Sequence, residues 1–247
     1  MSKINFKLII LTTILLTSFI FTREFVNNYT PQGWVSDFAG IIDETTKFRI
    51  ESIIIELEQK TSAEIAVVTI KSLEGYTIED LATRLFEKWG VGKKGKDNGV
   101  MLIVASEDKK VRIEVGYGLE AILTDGLCGE ILDKYVVPYF KQGNFSDGIL
   151  YGTAAIAKVI ANDAGVELTG EIYQNIKLRE QNPLEIFVQI LFFLIVLSII
   201  LRRPFLGFWI TTSTGGFHIG GFRGGFGGGF GGFGGGLSGG GGATRGW

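Results

Sequence analysis

One stretch, residues 97–125, places the strongest constraint on the fold of this chain. It reads DNGVMLIVASEDKKVRIEVGYGLEAILTD. The apolar runs at residues 100–105 and 111–115 predict two β-strands, and the five polar residues between them suit an antiparallel hairpin. Gly116 and Gly118 follow the second strand, where glycine permits a positive φ or a close backbone approach. The stretch therefore predicts two short strands joined by a polar turn, with carboxylates at both ends of the stretch.

The surrounding region, residues 31–163, alternates helical and strand patterns. Apolar spacing near 3.6 predicts helices at residues 43–60, 77–89, 125–137 and 144–163, with Thr77 and Thr124 as N-caps and Pro138 ending the third. EIAVVTI, at residues 64–70, is nearly all apolar and predicts a strand covered on both faces, whereas residues 34–42 suit a loop. Arg112 and Glu114 share one strand face, which indicates a sheet edge. We expect an α/β fold, a small mixed β-sheet flanked by helices on both faces.

An apolar run near the start of the chain predicts export. Residues 8–21 carry no charge and follow Lys3 and Lys7, which is the length and flank of a secretory h-region. No clean small-x-small cleavage site follows the run. Residues 1–22 are therefore expected to be either a signal peptide or a retained anchor.

A second apolar run predicts a transmembrane helix at residues 184–201, reached through a linker at residues 164–183. Arg202 and Arg203 follow it, and such residues favour the cytoplasmic side. The expected location is the cell membrane, with the domain outside the cytoplasm and the tail, residues 202–247, inside. That tail is rich in glycine and phenylalanine. It has too little apolar surface to offset the entropy of ordering, so we predict disorder; weak multivalent contacts through its phenylalanines are the alternative.

Charge and residue usage exclude several function classes. Residues 31–163 hold 21 Asp and Glu against 15 Lys and Arg, a balance of −6 that argues against a nucleic-acid partner. His218, the one histidine, lies in the tail, so the domain offers no Ser-His-Asp triad and no histidine-based zinc site. Cys128 is the one cysteine and suits a buried structural side chain. The G-x-G-x-x-A pattern at residues 116–121 lacks the following strand and acidic residue of a dinucleotide site.

Four acidic residues in loops or at helix starts form the candidate site: Asp37, Asp97, Glu120 and Asp125. Hard divalent cations prefer carboxylate oxygens, so the set predicts a metal site for Ca²⁺ or Mg²⁺. The structural alternative is that Asp37 and Asp125 cap turns or helices, Asp97 shapes its loop and Glu120 is solvated. For each residue the two interpretations are balanced. The grouping of all four beside the same strands favours the site.

Three motifs resemble the TPM domain family, named for thylakoid-lumen, photosystem II repair and acetylcholine-receptor-modulating proteins. They read VSDFAGII, KKGKDNGVMLIVA and VRIEVGYGLEAILTD, and the ending GGGGATRGW resembles the bacterial members. The resemblance implies an α/β sandwich with a cleft for divalent metal, and an acid phosphatase activity reported for plant members. Its acidic motif positions fall on Asp37, Asp97, Glu120 and Asp125. Ala121 departs from the motif, which often has glycine there.

Two functions are consistent with these features. The first is a membrane-tethered module outside the cytoplasm that binds a divalent cation and assists the assembly or repair of envelope or membrane proteins. The second is a metal-dependent phosphatase acting on a small phosphoester, in which the cation polarises a phosphoryl oxygen and activates water. In the second, Asp97 and Asp125 are ligands, and Asp37 or Glu120 is a further ligand or base. The module is slightly favoured.

Overall fold

The structure, a computed structural model, describes residues 26, 28–174, 176, 191–195 and 233–247. Its contacts divide the chain into two units, Met1–Lys177 with Phe230–Trp247, and Leu178–Gly229. The second unit is described at residues 191–195, which are helical. The predicted signal segment and most of the predicted transmembrane helix lie outside the described residues. Within the described ranges, no helix is both long and apolar enough to cross a membrane.

A five-stranded mixed sheet forms the centre of the first unit. Its strands are β1 (Val35–Asp37), β2 (Glu64–Ile70), β3 (Gly99–Ala105), β4 (Lys110–Gly116) and β5 (Ser238–Gly246), in that spatial order. β1, β2 and β3 are parallel, while β4 is antiparallel to both β3 and β5. The predicted β3–β4 hairpin and the small mixed sheet are confirmed.

Helices cover both faces of the sheet, as predicted. They are α1 (Glu44–Thr61), α2 (Ile78–Trp89), α3 (Asp125–Ile131), α4 (Val137–Phe140) and α5 (Phe145–Asp163). α2 packs on the face that carries Ala66, Val68, Met101 and Ile103. α5 packs on the opposite face, where Leu102 lies beside Gly152. Because successive strand residues point to opposite faces, the nearly continuous apolar strands need helices on both sides.

The prediction of a loop at residues 34–42 is wrong at its start. Val35–Asp37 forms β1, which pairs with Val67, Val68 and Thr69 of β2. The strand is three residues long and includes two polar side chains, so it is too short to show the alternation of polar and apolar residues that predicts a strand. Its order comes from pairing with β2, a contact that local sequence does not show.

Pro138 does not end the helix that precedes it. α3 ends at Ile131, but the chain stays helical through a π-turn, Leu132–Val136, and then enters α4. Pro138 lies in the first turn of α4. Proline is tolerated in a first turn because its missing N–H has no intrahelical partner there. The wider π-turn therefore absorbs the interruption that the sequence predicted as a stop.

The prediction of disorder at residues 202–247 is wrong for residues 233–247, named here the glycine-rich segment. This segment contains β5, which pairs with β4 along its length. Backbone pairing orders this segment, although it has too little apolar surface to be ordered by the burial of side chains. Since β4 and β5 belong to one sheet, both lie on the same side of any membrane. A domain outside the cytoplasm and a segment inside it are therefore incompatible with this sheet.

Candidate binding site

Asp37 organises the turn that follows β1. Its Oδ1 accepts hydrogen bonds from the backbone N–H groups of Gly40 (3.0 Å) and Ile41 (3.2 Å), and its Oδ2 accepts one from Ile42 N–H (3.0 Å). The hydroxyl of Thr69 also donates to Oδ1. A carboxylate that accepts four such bonds acts as a turn cap, which is the structural alternative given above.

The other three predicted residues lie at the opposite end of the sheet. Asp37 pairs with Thr69 near the end of β2, whereas β2 begins at Glu64, beside Gly99. Asp97 precedes Gly99 by two residues. A strand of this length puts the two ends roughly 20 Å apart, at about 3.3 Å per residue. The structure therefore separates Asp37 from Asp97, Glu120 and Asp125.

Asp97, Glu120 and Asp125 all contact the glycine-rich segment. The backbone N–H of Leu237 donates to Asp97 Oδ1 (3.1 Å), and that of Gly242 donates to Asp125 Oδ1 (2.8 Å). Glu120 lies so close to Gly241 that a Cβ there would be 2.8 Å from Oε1. The predicted acids thus meet along one strand whose order the sequence did not reveal.

Close backbone packing fixes the loop that carries Asp97. A Cβ on Gly116 would overlap the carbonyl oxygen of Asp97, and one on Gly118 would overlap that of Lys96. Gly118 N–H also donates to the Asp97 carbonyl (3.0 Å). Asp97 itself has the positive φ, at 48°. Of the two roles predicted for Gly116 and Gly118, close approach is the one they fill.

Glu64 is a buried carboxylate that the sequence did not identify as a site residue. It is fully buried at the start of β2, where its Oε2 accepts hydrogen bonds from the N–H groups of Gly92 (2.7 Å) and Gly234 (3.1 Å). Lys93 Nζ lies 2.5 Å from Oε1. Hydrogen bonds to Glu58 and Glu64 raise the pKa of Lys93, which keeps its ammonium charged. The sequence signal for this buried carboxylate was a glutamate at the first position of an apolar strand.

Glu114 is a second buried carboxylate, and its prediction as part of a sheet edge is wrong. Arg112 and Glu114 form an ion pair (Nη2–Oε2 2.6 Å) with both side chains buried. Ser238 Oγ donates to Glu114 Oε1 (2.6 Å), and Arg112 Nη2 donates to the Gly240 carbonyl (2.8 Å). β4 is therefore an inner strand, because β5 pairs with the edge of β4 that was predicted to be unpaired.

Two more carboxylates bind side chains of the segment. Thr244 Oγ1 donates to Glu79 Oε1 (2.7 Å), and the guanidinium of Arg245 donates to both carboxylate oxygens of Asp133 (2.8 and 3.0 Å). Burial raises the pKa of Glu79, but the bond from Thr244 and nearby cations lower it by more. Together these acceptors form the acidic track: Glu64, Glu79, Asp97, Glu114, Asp125 and Asp133.

Cys128, in α3, is a structural side chain. It is fully buried, and its Sγ contacts the carbonyl of Leu123 at 3.6 Å. Burial, and then the nearby charge of Asp125, raise the pKa of the thiol to about 12. The sulfur is therefore a neutral thiol at pH 7 rather than a nucleophilic thiolate.

The carboxylates of the acidic track are the type of ligand that a hard cation prefers, but their spacing is not that of a complete metal site. Among the residues that the structure describes, no three His, Cys, Asp or Glu side chains are close enough to hold one metal ion. Asp125 is exposed and Asp97 is partly exposed, and both have free carboxylate lone pairs beyond the bonds from β5. Carboxylates, backbone carbonyls and water together meet the needs of Ca²⁺.

Comparisons with known proteins find similar domains. The sequence model of the TPM domain matches residues 35–159. The solution NMR structure of the N-terminal domain of a protein from P. gingivalis is 30% identical, covering 56% of this chain and 88% of that chain with a TM-score of 0.51. The NMR structure of the BA42 protein from Bizionia argentinensis is 26% identical, covering 51% and 90% with a TM-score of 0.44. The comparison with curated proteins finds no match.

Proposed function

Because the chain belongs to the TPM domain family, we propose that it is a binding module held at the outer face of the cell membrane. The module takes a divalent cation and a partner segment on its acidic track, and it assists the assembly or repair of envelope proteins. One observation carries the proposal: Asp97 and Asp125 both accept hydrogen bonds from backbone amides of a single extended segment. We infer that these carboxylates accept the same kind of bond from a partner segment.

The cation part of the proposal rests on the same two carboxylates. Asp97 and Asp125 would hold Ca²⁺ or Mg²⁺, with Glu120 beside them and with backbone carbonyls and water completing the shell. Asp37 takes no part, because its oxygens serve the turn at the far end of the sheet. The amides of β5 and a cation would compete for the same two carboxylates, since both are positive partners of a carboxylate.

A metal-dependent phosphatase is the second candidate, because the sequence model of the family carries the word phosphatase in its name. A bound cation would polarise a phosphoryl oxygen and lower the pKa of water. This chain would then use Asp97 and Asp125 to hold the ion and Glu120 to accept a proton. The substrate class is a small phosphomonoester.

Calorimetric titration of the full chain in detergent with Ca²⁺ and Mg²⁺ tests the cation. We expect Asp97→Asn and Asp125→Asn each to weaken binding by about tenfold or more, because each removes one charged ligand. Glu107→Gln is the matched control: an exposed carboxylate in the β3–β4 turn, at the other end of the sheet. Equal affinity in all four proteins, or no heat in any, would contradict the proposed site.

Turnover of p-nitrophenyl phosphate separates the two functions. The binding module predicts no turnover by the wild-type chain at saturating Ca²⁺, Mg²⁺ or Mn²⁺. Turnover that is lost in Asp97→Asn and Asp125→Asn but kept in Glu107→Gln would favour the phosphatase instead.

A further inference from the structure

We propose that the edge of β4 and the acidic track form a recognition site for an extended glycine-rich peptide that contains Thr-Arg-Gly-Trp. The site binds this segment from a second copy of the chain whenever its own segment is withdrawn. The inference names the partner of the binding module and rests on that proposed function. It is carried by the contacts of the glycine-rich segment along its whole length.

The backbone of the segment binds as an added strand. β5 pairs with β4 from Lys110↔Gly246 to Gly116↔Ser238. Before β5, the segment continues along the loop after α2, where Gly235 N–H donates to the Gly90 carbonyl (2.7 Å). This is the mode in which extended peptides add to a sheet edge, with main-chain bonds supplying affinity.

Glycine is required at several positions because the backbones approach closely. A Cβ on Gly236 would overlap the carbonyl oxygen of Val91, and one on Gly242 would overlap that of Ile113. At Gly239 a Cβ would lie 2.5 Å from the ring of Tyr117. A strand with ordinary side chains therefore does not fit this edge.

Four side chains of the segment add specificity at fixed spacing. Ser238, Thr244 and Arg245 donate to Glu114, Glu79 and Asp133 of the acidic track. The ring of Trp247 packs against Phe140 and Phe145, with centroids 4.7 and 5.9 Å away. Two of the acceptors along the segment, Glu64 and Glu114, are fully buried. Buried carboxylates require donors, and the segment supplies N–H and O–H groups to both.

The segment can leave without opening the core. Ala243 is its one apolar side chain among the buried residues that the structure describes, while Leu237 is 52% exposed. The apolar cluster between the sheet and α2 comes mostly from β2, β3 and α2 itself, with Val26, Leu73 and Val91 from outside them, and the partly buried Phe233 packs against it. Withdrawal therefore costs mainly backbone bonds and the four anchors, not core packing.

A second copy is the natural occupant because each chain carries both halves of the contact. Withdrawal of β5 would leave β4 as an edge strand with unpaired N–H and C=O groups, which pairs readily with another strand. The glycines, hydroxyls and arginine that the site selects stand together in residues 236–247 of the same sequence. Exchange of an identical element between protomers meets this requirement with no new surface.

The test uses the full chain in detergent and a labelled peptide of residues 236–247, GLSGGGGATRGW. Gly242→Ala in the chain disables its own segment, because the new Cβ would overlap Ile113. Gly246→Ala is the matched control, since its Cβ would lie 3.5 Å from the nearest atom, the Lys109 carbonyl oxygen. Fluorescence anisotropy should show that Gly242→Ala binds the peptide at least about tenfold more tightly than the wild type or Gly246→Ala, which corresponds to about 1.4 kcal/mol.

Peptide variants test the recognition itself. A peptide with Arg245→Ala, and one with Gly242→Ala, should bind the same chain more weakly than the natural peptide. Equal binding of all three peptides, or no binding of any by a Gly242→Ala chain that melts cooperatively, would overturn the inference. If Gly242→Ala does not fold, the double variant Arg245→Ala/Trp247→Ala replaces it, because it removes two anchors and leaves every glycine unchanged.

The second-copy claim is tested by native mass spectrometry of mixed chains. Gly242→Ala offers a vacant site, and Asp133→Ala offers an intact segment with a weakened site of its own. A mixed dimer should form between them, whereas the wild-type chain alone should remain monomeric; absence of the mixed dimer would overturn this claim. If the chain binds the cation but not the peptide, the peptide-recognition inference is refuted and the proposed cation site stands. If the chain binds the peptide but not the cation, the proposed cation site is refuted and the peptide-recognition inference stands.

Discussion

The two ends of the sheet hold acidic residues in opposite ways. At one end, the carboxylate of Asp37 is satisfied by backbone amides within five residues of it and by Thr69 of the neighbouring strand. At the other, Asp97 and Asp125 are satisfied by amides of Leu237 and Gly242, more than a hundred residues away. The first end is closed by its own loop. The second depends on a segment that we propose to be exchanged between chains.

This difference separates stability from binding. An acid whose partners are local belongs to the folding of its own loop, so its loss destabilises the protein. An acid whose partner is a distant segment contributes little unless the segment is docked. Substitutions at the two ends should therefore give opposite phenotypes.

Asp37→Ala should have the largest effect on stability. It leaves the N–H groups of Gly40, Ile41 and Ile42 without their acceptor, which should lower the free energy of unfolding by about 3 kcal/mol. Urea denaturation of the full chain measures this. Peptide and cation binding by the remaining folded protein should be unchanged. A loss of stability below about 1 kcal/mol would show that water replaces the carboxylate and that the turn is not closed by Asp37.

Gly242→Ala should leave most of the stability in place but change the cation site. Displacing β5 removes the amide that competes at Asp125, so the affinity for Ca²⁺ should rise by about tenfold. Isothermal titration of the wild type, Gly242→Ala and Gly246→Ala measures it. An affinity that falls in Gly242→Ala would instead mean that the segment helps to form the cation site.

The same difference explains what the sequence predicted and what it did not. The β3–β4 hairpin, and the N-caps Thr77 and Thr124, follow from local patterns and are confirmed. β5 has no side-chain periodicity, because glycines at most of its positions give neither a period of two nor an apolar face. Its order comes from pairing with β4, and no local signal reports such a partner.

The acidic residues show the same limit of prediction from local sequence. The sequence identified Asp97, Glu120 and Asp125 by their place in loops, and they do meet along one segment. It missed Glu64 and Glu114 because each lies in an apolar strand, where a carboxylate is compatible with an edge or a strand end. Both are buried, since Lys93 and Arg112 pair with them. Those partners and the segment's donors are set by tertiary structure.

Arg245→Ala should have a smaller effect, which a double-mutant cycle with Asp133→Ala isolates. The two side chains are 39% and 52% exposed, so solvent screens the pair and its coupling should be about 0.5 kcal/mol despite the bidentate geometry. Urea denaturation of the four proteins gives the coupling energy. A coupling near zero would assign the anchoring of this part of the segment to Trp247 alone.

The smallest effect concerns pH at the closed end of the sheet. Asp43 caps α1, and hydrogen bonds from the Thr46 amide and from Ser146 lower its pKa to about 2. A carboxyl whose pKa is lower in the folded state stabilises the protein above its unfolded pKa, and this contribution is lost as pH falls from about 4 to about 2. Asp43→Asn keeps a capping acceptor but does not titrate. The melting temperatures of the two proteins should therefore differ at pH 5 and converge towards pH 2. Parallel curves would show that the cap does not depend on the charge of Asp43.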